Sequence, residues 1–111
     1  MFNQPVDNAR ELLVRYHSGE RVFKGAYLNG VNLQAACLEN VSLIGAQMVK
    51  ADLRDADIHN SHLERSNLRN ANLEGANLEG SHLEGAHLIG ANLEGVKLDG
   101  AVMPDGRTND H

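Results

Sequence analysis

Histidine, cysteine and carboxylate side chains are the groups in this 111-residue chain with chemistry to offer. His59, His62, His82 and His87 lie in its middle and later parts, and imidazole is a ligand for zinc or copper. Cys37 is the single thiol. Its block of sequence holds no cationic residue, and no His–Asp or His–Asn arrangement marks it as a nucleophile. Glu64, Glu74, Glu79, Glu84, Glu94 and Asp99 recur on a regular beat through the second half. The glycines keep the same beat, spaced as turns rather than gathered before a helix, so no phosphate-cradling loop can be assembled. Whether any of these groups meet depends on the path of the chain.

That path is written in a period of five. From Ala71 to Gly100, six consecutive blocks repeat one formula: small, polar, Leu, mostly acidic, Gly. The central apolar position extends from Leu28 through Leu33, Leu38, Leu43, Met48, Leu53 and Ile58 to Leu98 and Met103. A compact residue, Ala, Val or Ser, stands two places before each. A five-residue period suits neither a helix nor a strand. It suits a short extended piece followed by a turn, with the central and small residues facing inward, which is the signature of a solenoid. Gly75, Gly80, Gly85, Gly90, Gly95 and Gly100 stand where a type II turn wants positive φ. Ala35, Lys50, Asp55 and Arg65 occupy that place earlier, so a different turn type is expected in the middle coils.

Composition agrees with a narrow core. Hydrophobic residues make up 41% of the chain but aromatics only 4%, with no Trp. The net charge of −5 argues against direct nucleic-acid binding, which needs a basic face. One cysteine excludes an intramolecular disulfide. The N-terminus has no apolar run of signal-peptide length, and no stretch approaches the ~18 apolar residues of a membrane span. The expected location is the cytoplasm, with no membrane partner. Ala9, Leu12, Leu13 and Tyr16 fall on one face of a short helix, capped by Asp7 or Asn8 and ended by Gly19. Such a helix is marginal alone and needs the open end of the solenoid to lie on.

The chain resembles the pentapeptide-repeat proteins, whose formula is Ala-(Asp/Asn)-Leu-x-x, from Ala26 to Asp105. It is similar to cyanobacterial members in its Gly-Glu-Arg-x-Phe segment, Gly19 to Phe23, and in its closing Met-Pro-Asp-Gly, Met103 to Gly106. The resemblance implies an all-β solenoid: a right-handed quadrilateral parallel β-helix with four blocks per coil. At about four coils of ~4.8 Å each, the repeat body would be roughly 20 Å long. The expected organisation is a lead-in and capping helix over 1–22, the β-helix over 23–106 and a disordered tail over 107–111.

Four blocks per coil would stack residues twenty apart. Three like-charged pairs then emerge: Glu64 with Glu84, Glu74 with Glu94, and Glu79 with Asp99. Asn32, Asp52, Asn72 and Asn92 form a column able to hydrogen-bond along the ladder. His62 and His82 stack as candidate metal ligands, with no carboxylate or thiol completing a tetrahedral set at their level although Glu64 and Glu84 share the face. Tyr27, Ile44 and Val49 are expected to cluster at one edge of the N-terminal coils, with Ile89 further along the Val49 column, as a protein-contact patch.

The resemblance implies a non-enzymatic interaction or scaffold module with a protein partner and no cofactor. The alternative is a DNA-mimicking inhibitor of a type II topoisomerase (gyrase), working through the acidic surface. A further alternative is a surface metal-binding module at His62 and His82. An end-to-end homodimer through the C-terminal coil is the candidate self-assembly.

Overall fold

The computed structural model describes residues 5–110. Met1 to Gln4 of the expected lead-in, and His111 of the expected tail, lie outside the described residues.

The chain opens with helix α1, Ala9–His17. The Asn8 side chain accepts the Glu11 N–H at 2.7 Å, so Asn8 rather than Asp7 is the cap. Gly19, at φ 105°, ends the helix in a Schellman turn: its N–H donates to the Tyr16 carbonyl, and that of Glu20 to Arg15. Leu12 and Tyr16 bury themselves in the same core as Phe23, Leu28 and Leu33. The Tyr16 hydroxyl donates to the Glu39 carbonyl at 2.8 Å, and Arg21 lies 3.7 Å over the Tyr16 ring. The helix thus closes the N-terminal end of the repeats.

From Val22 onward, parallel bridges join residues twenty apart in four columns. The first runs Tyr27–Gln47–Asn67–His87, the second Asn32–Asp52–Asn72–Asn92 and the third Cys37–Asp57–Asn77–Lys97. The fourth, Val22–Ser42–His62–His82–Val102, is one rung longer. We number the sides of the solenoid accordingly. Each side contributes a single bridged residue per coil, between corners that turn after every Leu. The molecule measures 42 × 21 × 20 Å, and the two nearly equal short extents fit four equal sides.

Every backbone N–H of a typical block finds a place, as buried backbone must. Asp52 donates down the ladder to Val31 at 2.9 Å, and Leu53 donates up to Asn72 at 2.7 Å. The Asp55 N–H bonds to Glu74, and that of Ala56 closes the turn on Leu53. The remaining N–H, on Arg54, goes to the side chain of Asp52 two residues back. The same bond recurs from Gln34 to Asn32, Glu74 to Asn72, Glu79 to Asn77 and Glu94 to Asn92. This is why the formula wants Asn or Asp in its second place. The expected amide ladder is also present, with Asn92 donating to Asn72 at 3.2 Å.

Two expectations need correction, and burial is graded along the axis. The middle coils use the same turn as the later ones: Ala35, Lys50, Asp55 and Arg65 have φ between 57° and 62°, close to the 68–76° of the glycines from 75 to 100. Two fixed inter-coil hydrogen bonds flank each corner, and together they outweigh the ~1–2 kcal/mol of left-handed strain. The segment after Gly106 is not disordered over its described residues. Thr108 pairs antiparallel with Val102, and Asn109 donates to Ala101 and accepts from Gly100 at 2.7 and 2.6 Å. Finally, the core loosens toward that end. Leu28 to Leu83 are sealed at the central positions, whereas Leu88 and Leu98 are half-buried and Leu93 is 36% exposed, because no further coil covers them.

The corner between the third and fourth sides carries a variation. Ser61 and Ser81 are fully buried. The Ser61 hydroxyl accepts the Val41 N–H at 3.1 Å and donates to the Leu38 carbonyl at 3.1 Å. Ser81 does the same one rung on, accepting from the Ser61 N–H and donating to Ile58. Each hydroxyl is inserted into the turn of the coil before it.

Candidate functional site

The interior is filled with side chains, so the chemistry lies on the outside. The described grooves are open and shallow. One follows the corner of the second and third sides, between Arg54 and the acids Glu74 and Glu94.

The fourth side is the only one on which the formula's second-position Asn or Asp never occurs. His62 and His82 are bridged neighbours there, and their rings stack with centroids 4.8 Å apart and planes within 4°. Their backbone stands directly on the buried Ser61 and Ser81 bridges. His62 Nδ1 lies 3.3 Å from Glu64 Oε2, and His82 Nδ1 lies 3.4 Å from Glu84 Oε2. His62, Glu64 and His82 each place a donor atom within 4.8 Å of the other two. A carboxylate therefore joins the stacked histidines on the face that the sequence assigns to Glu64, in a set of three donors. Spacing alone shows Glu64 two places along and on the next corner; the rotamer that turns it back is not written in the spacing.

A second group gathers at the corner of the third and fourth sides, where Glu39, Asp57 and His59 lie within the same reach. His59 Nδ1 is 2.6 Å from Asp57 Oδ1, and that hydrogen bond raises the imidazole pKa. On the second side, the Arg54 guanidinium holds the Asp52 carboxyl below the usual carboxylate range, through hydrogen bonds of 2.9 and 2.7 Å. Cys37 is exposed and bridged to Asp57.

The three acidic pairs do not share a face. Glu64 and Glu84 sit at the corner of the fourth and first sides, Glu74 and Glu94 at that of the second and third, and Glu79 and Asp99 at that of the third and fourth. The apolar set is also more spread than expected. Tyr27 stands mid-side on the first side, 58% exposed, while Ile44 and Val49 are half-buried at its two opposite corners. A turn residue has its side chain partly covered by the coils above and below, which is why those two are not free edge residues. Ile89, 75% exposed, is at the corner of the first and second sides in the last coil, with Arg69 between it and Val49.

These features define a repeat protein with a filled interior and patterned outer sides. The family model described as "Pentapeptide repeats" matches residues 26–65 and 66–103, in eight copies, and the chain belongs to that family. Among solved structures it is similar to alr5209, a pentapeptide repeat protein from Nostoc, at 35% identity and a TM-score of 0.88. That match covers 89% of this chain and 82% of the other. It is also similar to HetL, a pentapeptide repeat protein involved in heterocyst differentiation regulation from the cyanobacterium Nostoc, at 37% identity and a TM-score of 0.76. That match covers 79% of this chain but spans only 40% of HetL. No curated protein matches the sequence. Among the described residues, no helix is long and apolar enough to cross a membrane.

Proposed function

We propose that this chain is a right-handed, four-sided parallel β-helix that acts without catalysis, offering its first side to a protein partner with an acidic contact surface. The observation that carries this reading is the charge of that side. Residues 26–30, 46–50, 66–70 and 86–90 include Lys50 and Arg69 but no Asp or Glu, in a chain of net charge −5. Glu64 and Glu84, on the adjoining corner, turn toward His62 and His82 instead. Tyr27 supplies an exposed aromatic of the kind enriched in protein contacts, and Asn67 and Gln47 supply amides. Such a partner would be drawn by charge and anchored by Tyr27 and Ile89.

Affinity capture from a lysate of the source organism, with the Tyr27→Glu/Arg69→Glu variant as control, tests it. One stoichiometric partner, weakened by salt and lost with the variant, supports the reading. Retention of the partner by the variant overturns it. Gyrase subunits lost only when Glu74, Glu79 and Glu94 become Lys would instead favour the DNA-mimic alternative, although those acids stand on two different corners.

A further inference from the structure

The geometry points to a divalent transition-metal site on the fourth side, built by His62, His82 and Glu64, and zinc is the ion it fits.

The donor set comes first. Two imidazoles and a carboxylate form a mixed nitrogen and oxygen environment, with water left to complete the shell, that suits zinc better than magnesium or calcium, which favour oxygen alone. The spacing comes next. Zinc ligands at ~2.0–2.1 Å in a tetrahedron stand about 3.3–3.4 Å from one another. His62 Nδ1 to Glu64 Oε2 is 3.3 Å, and His82 Nδ1 to Glu84 Oε2 is 3.4 Å. Both are long for a charge-assisted hydrogen bond and match the edge of a coordination tetrahedron.

A second observation concerns the same two acids. Among the described residues, four buried side-chain oxygens have no hydrogen-bond partner: Ser42 Oγ, Glu64 Oε1, Ser66 Oγ and Glu84 Oε1. All four belong to the fourth side or its corner with the first, and two are carboxylate oxygens one rung apart. A shielded carboxylate oxygen without a donor is costly unless a positive charge lies beside it. Among the described residues no Lys or Arg side chain bonds to either acid, and their side-chain hydrogen-bond partners are the imidazoles.

The frame is rigid and the tips are free. The His62–His82 bridge and the buried Ser61 and Ser81 hydroxyls hold the two backbones one rung apart. The imidazole side chains are 49% and 39% exposed. Parallel rings 4.8 Å apart do not aim two lone pairs at one ion, so each ring turns about its side-chain bonds when the metal enters. The exposure allows that movement, and the backbone need not shift. No proton or electron is transferred beyond loss of any proton from the ligating nitrogens, so affinity falls in acid.

The test is calorimetric titration of tag-free protein with zinc chloride in a non-coordinating buffer at neutral pH. The expected result is one saturable site per chain, abolished by His62→Ala and by His82→Ala and weakened at least ~10-fold by Glu64→Gln. His59→Ala and Cys37→Ser leave the isotherm unchanged, which separates this site from the Glu39–Asp57–His59 group. Far-UV circular dichroism establishes that each variant keeps its fold. A flat titration of the unaltered protein, or a site that survives both histidine substitutions, overturns the proposal. Equal binding of magnesium would also overturn it, because it would mean that the histidines are not ligands.

Discussion

Asp55 and Gly75 occupy the same corner one rung apart, and the Asp55 carboxylate fills the space that a Cβ on Gly75 would need. Both residues hold positive φ, 59° and 71°. Asn60 lies against Gly80 in the same way, and Asn70 against Gly90. The change from mixed residues to glycine between these coils therefore reflects stacking on one unchanged turn.

Gly75→Ala is expected to cost about 1–2 kcal/mol, since alanine resists the left-handed conformation and also meets Asp55. Asp55→Gly in the same chain should recover part of that loss. Urea unfolding of the two single variants and the double variant measures the coupling. Strictly additive effects would mean that the two residues do not share the space.

Leu63→Ala in the sealed middle of the core should cost about 2–5 kcal/mol, as deletions of buried leucine do. Leu93→Ala, at a position 36% exposed, should cost well under half as much. Equal losses would contradict the graded burial along the axis.

Ser61→Ala removes the hydroxyl bridging Val41 and Leu38 and should cost about 1–3 kcal/mol, the usual penalty for buried polar groups left unpaired. Ser18→Ala, on an exposed hydroxyl, is the control. A silent Ser61→Ala would mean that the Leu38–Val41 turn closes unaided.

These residues show where sequence reading succeeds and where it stops. Leu63 and Ser61 are visible as inward positions because period and size define the inside. The hydroxyl bridge at Ser61 is not, since it depends on the distance between successive coils. Asp55 reads as a break in the glycine pattern, and only the inter-coil hydrogen bonds reveal that the turn persists. The Arg-Thr-Asn segment reads as polar tail, yet its backbone matches the open edge above Val102. Glu64 is placed on a corner by arithmetic, but its approach to His62 is a rotamer choice.

His59 should titrate above the ordinary histidine value because Asp57 stabilises its charged form. With the folded pKa raised, the pair adds stability that is fully present below about pH 6.5 and fades as pH rises through the folded value. NMR titration of the His59 ring checks the direction. Asp57→Asn should bring its midpoint down, and an unmoved midpoint would assign the shift elsewhere.

Deleting residues 107–111 removes the bonds from Asn109 to Ala101 and Gly100 and extends an edge already open at Leu88, Gly90, Leu93 and Gly95, whose N–H groups donate to no described residue. Open ladder edges recruit other chains. Sedimentation velocity should show more end-to-end dimer in the truncated chain than in the intact one. An unchanged distribution would mean that this edge does not control self-association.

The bridges at every twentieth residue turn the numbering into a map. Adding twenty to a residue number moves one step of ~4.8 Å along the axis, and adding five moves a quarter-turn around it. The surface is thus a pegboard: any two functional groups can be set at a chosen height and bearing by choosing two integers, without redesigning the interior that holds them.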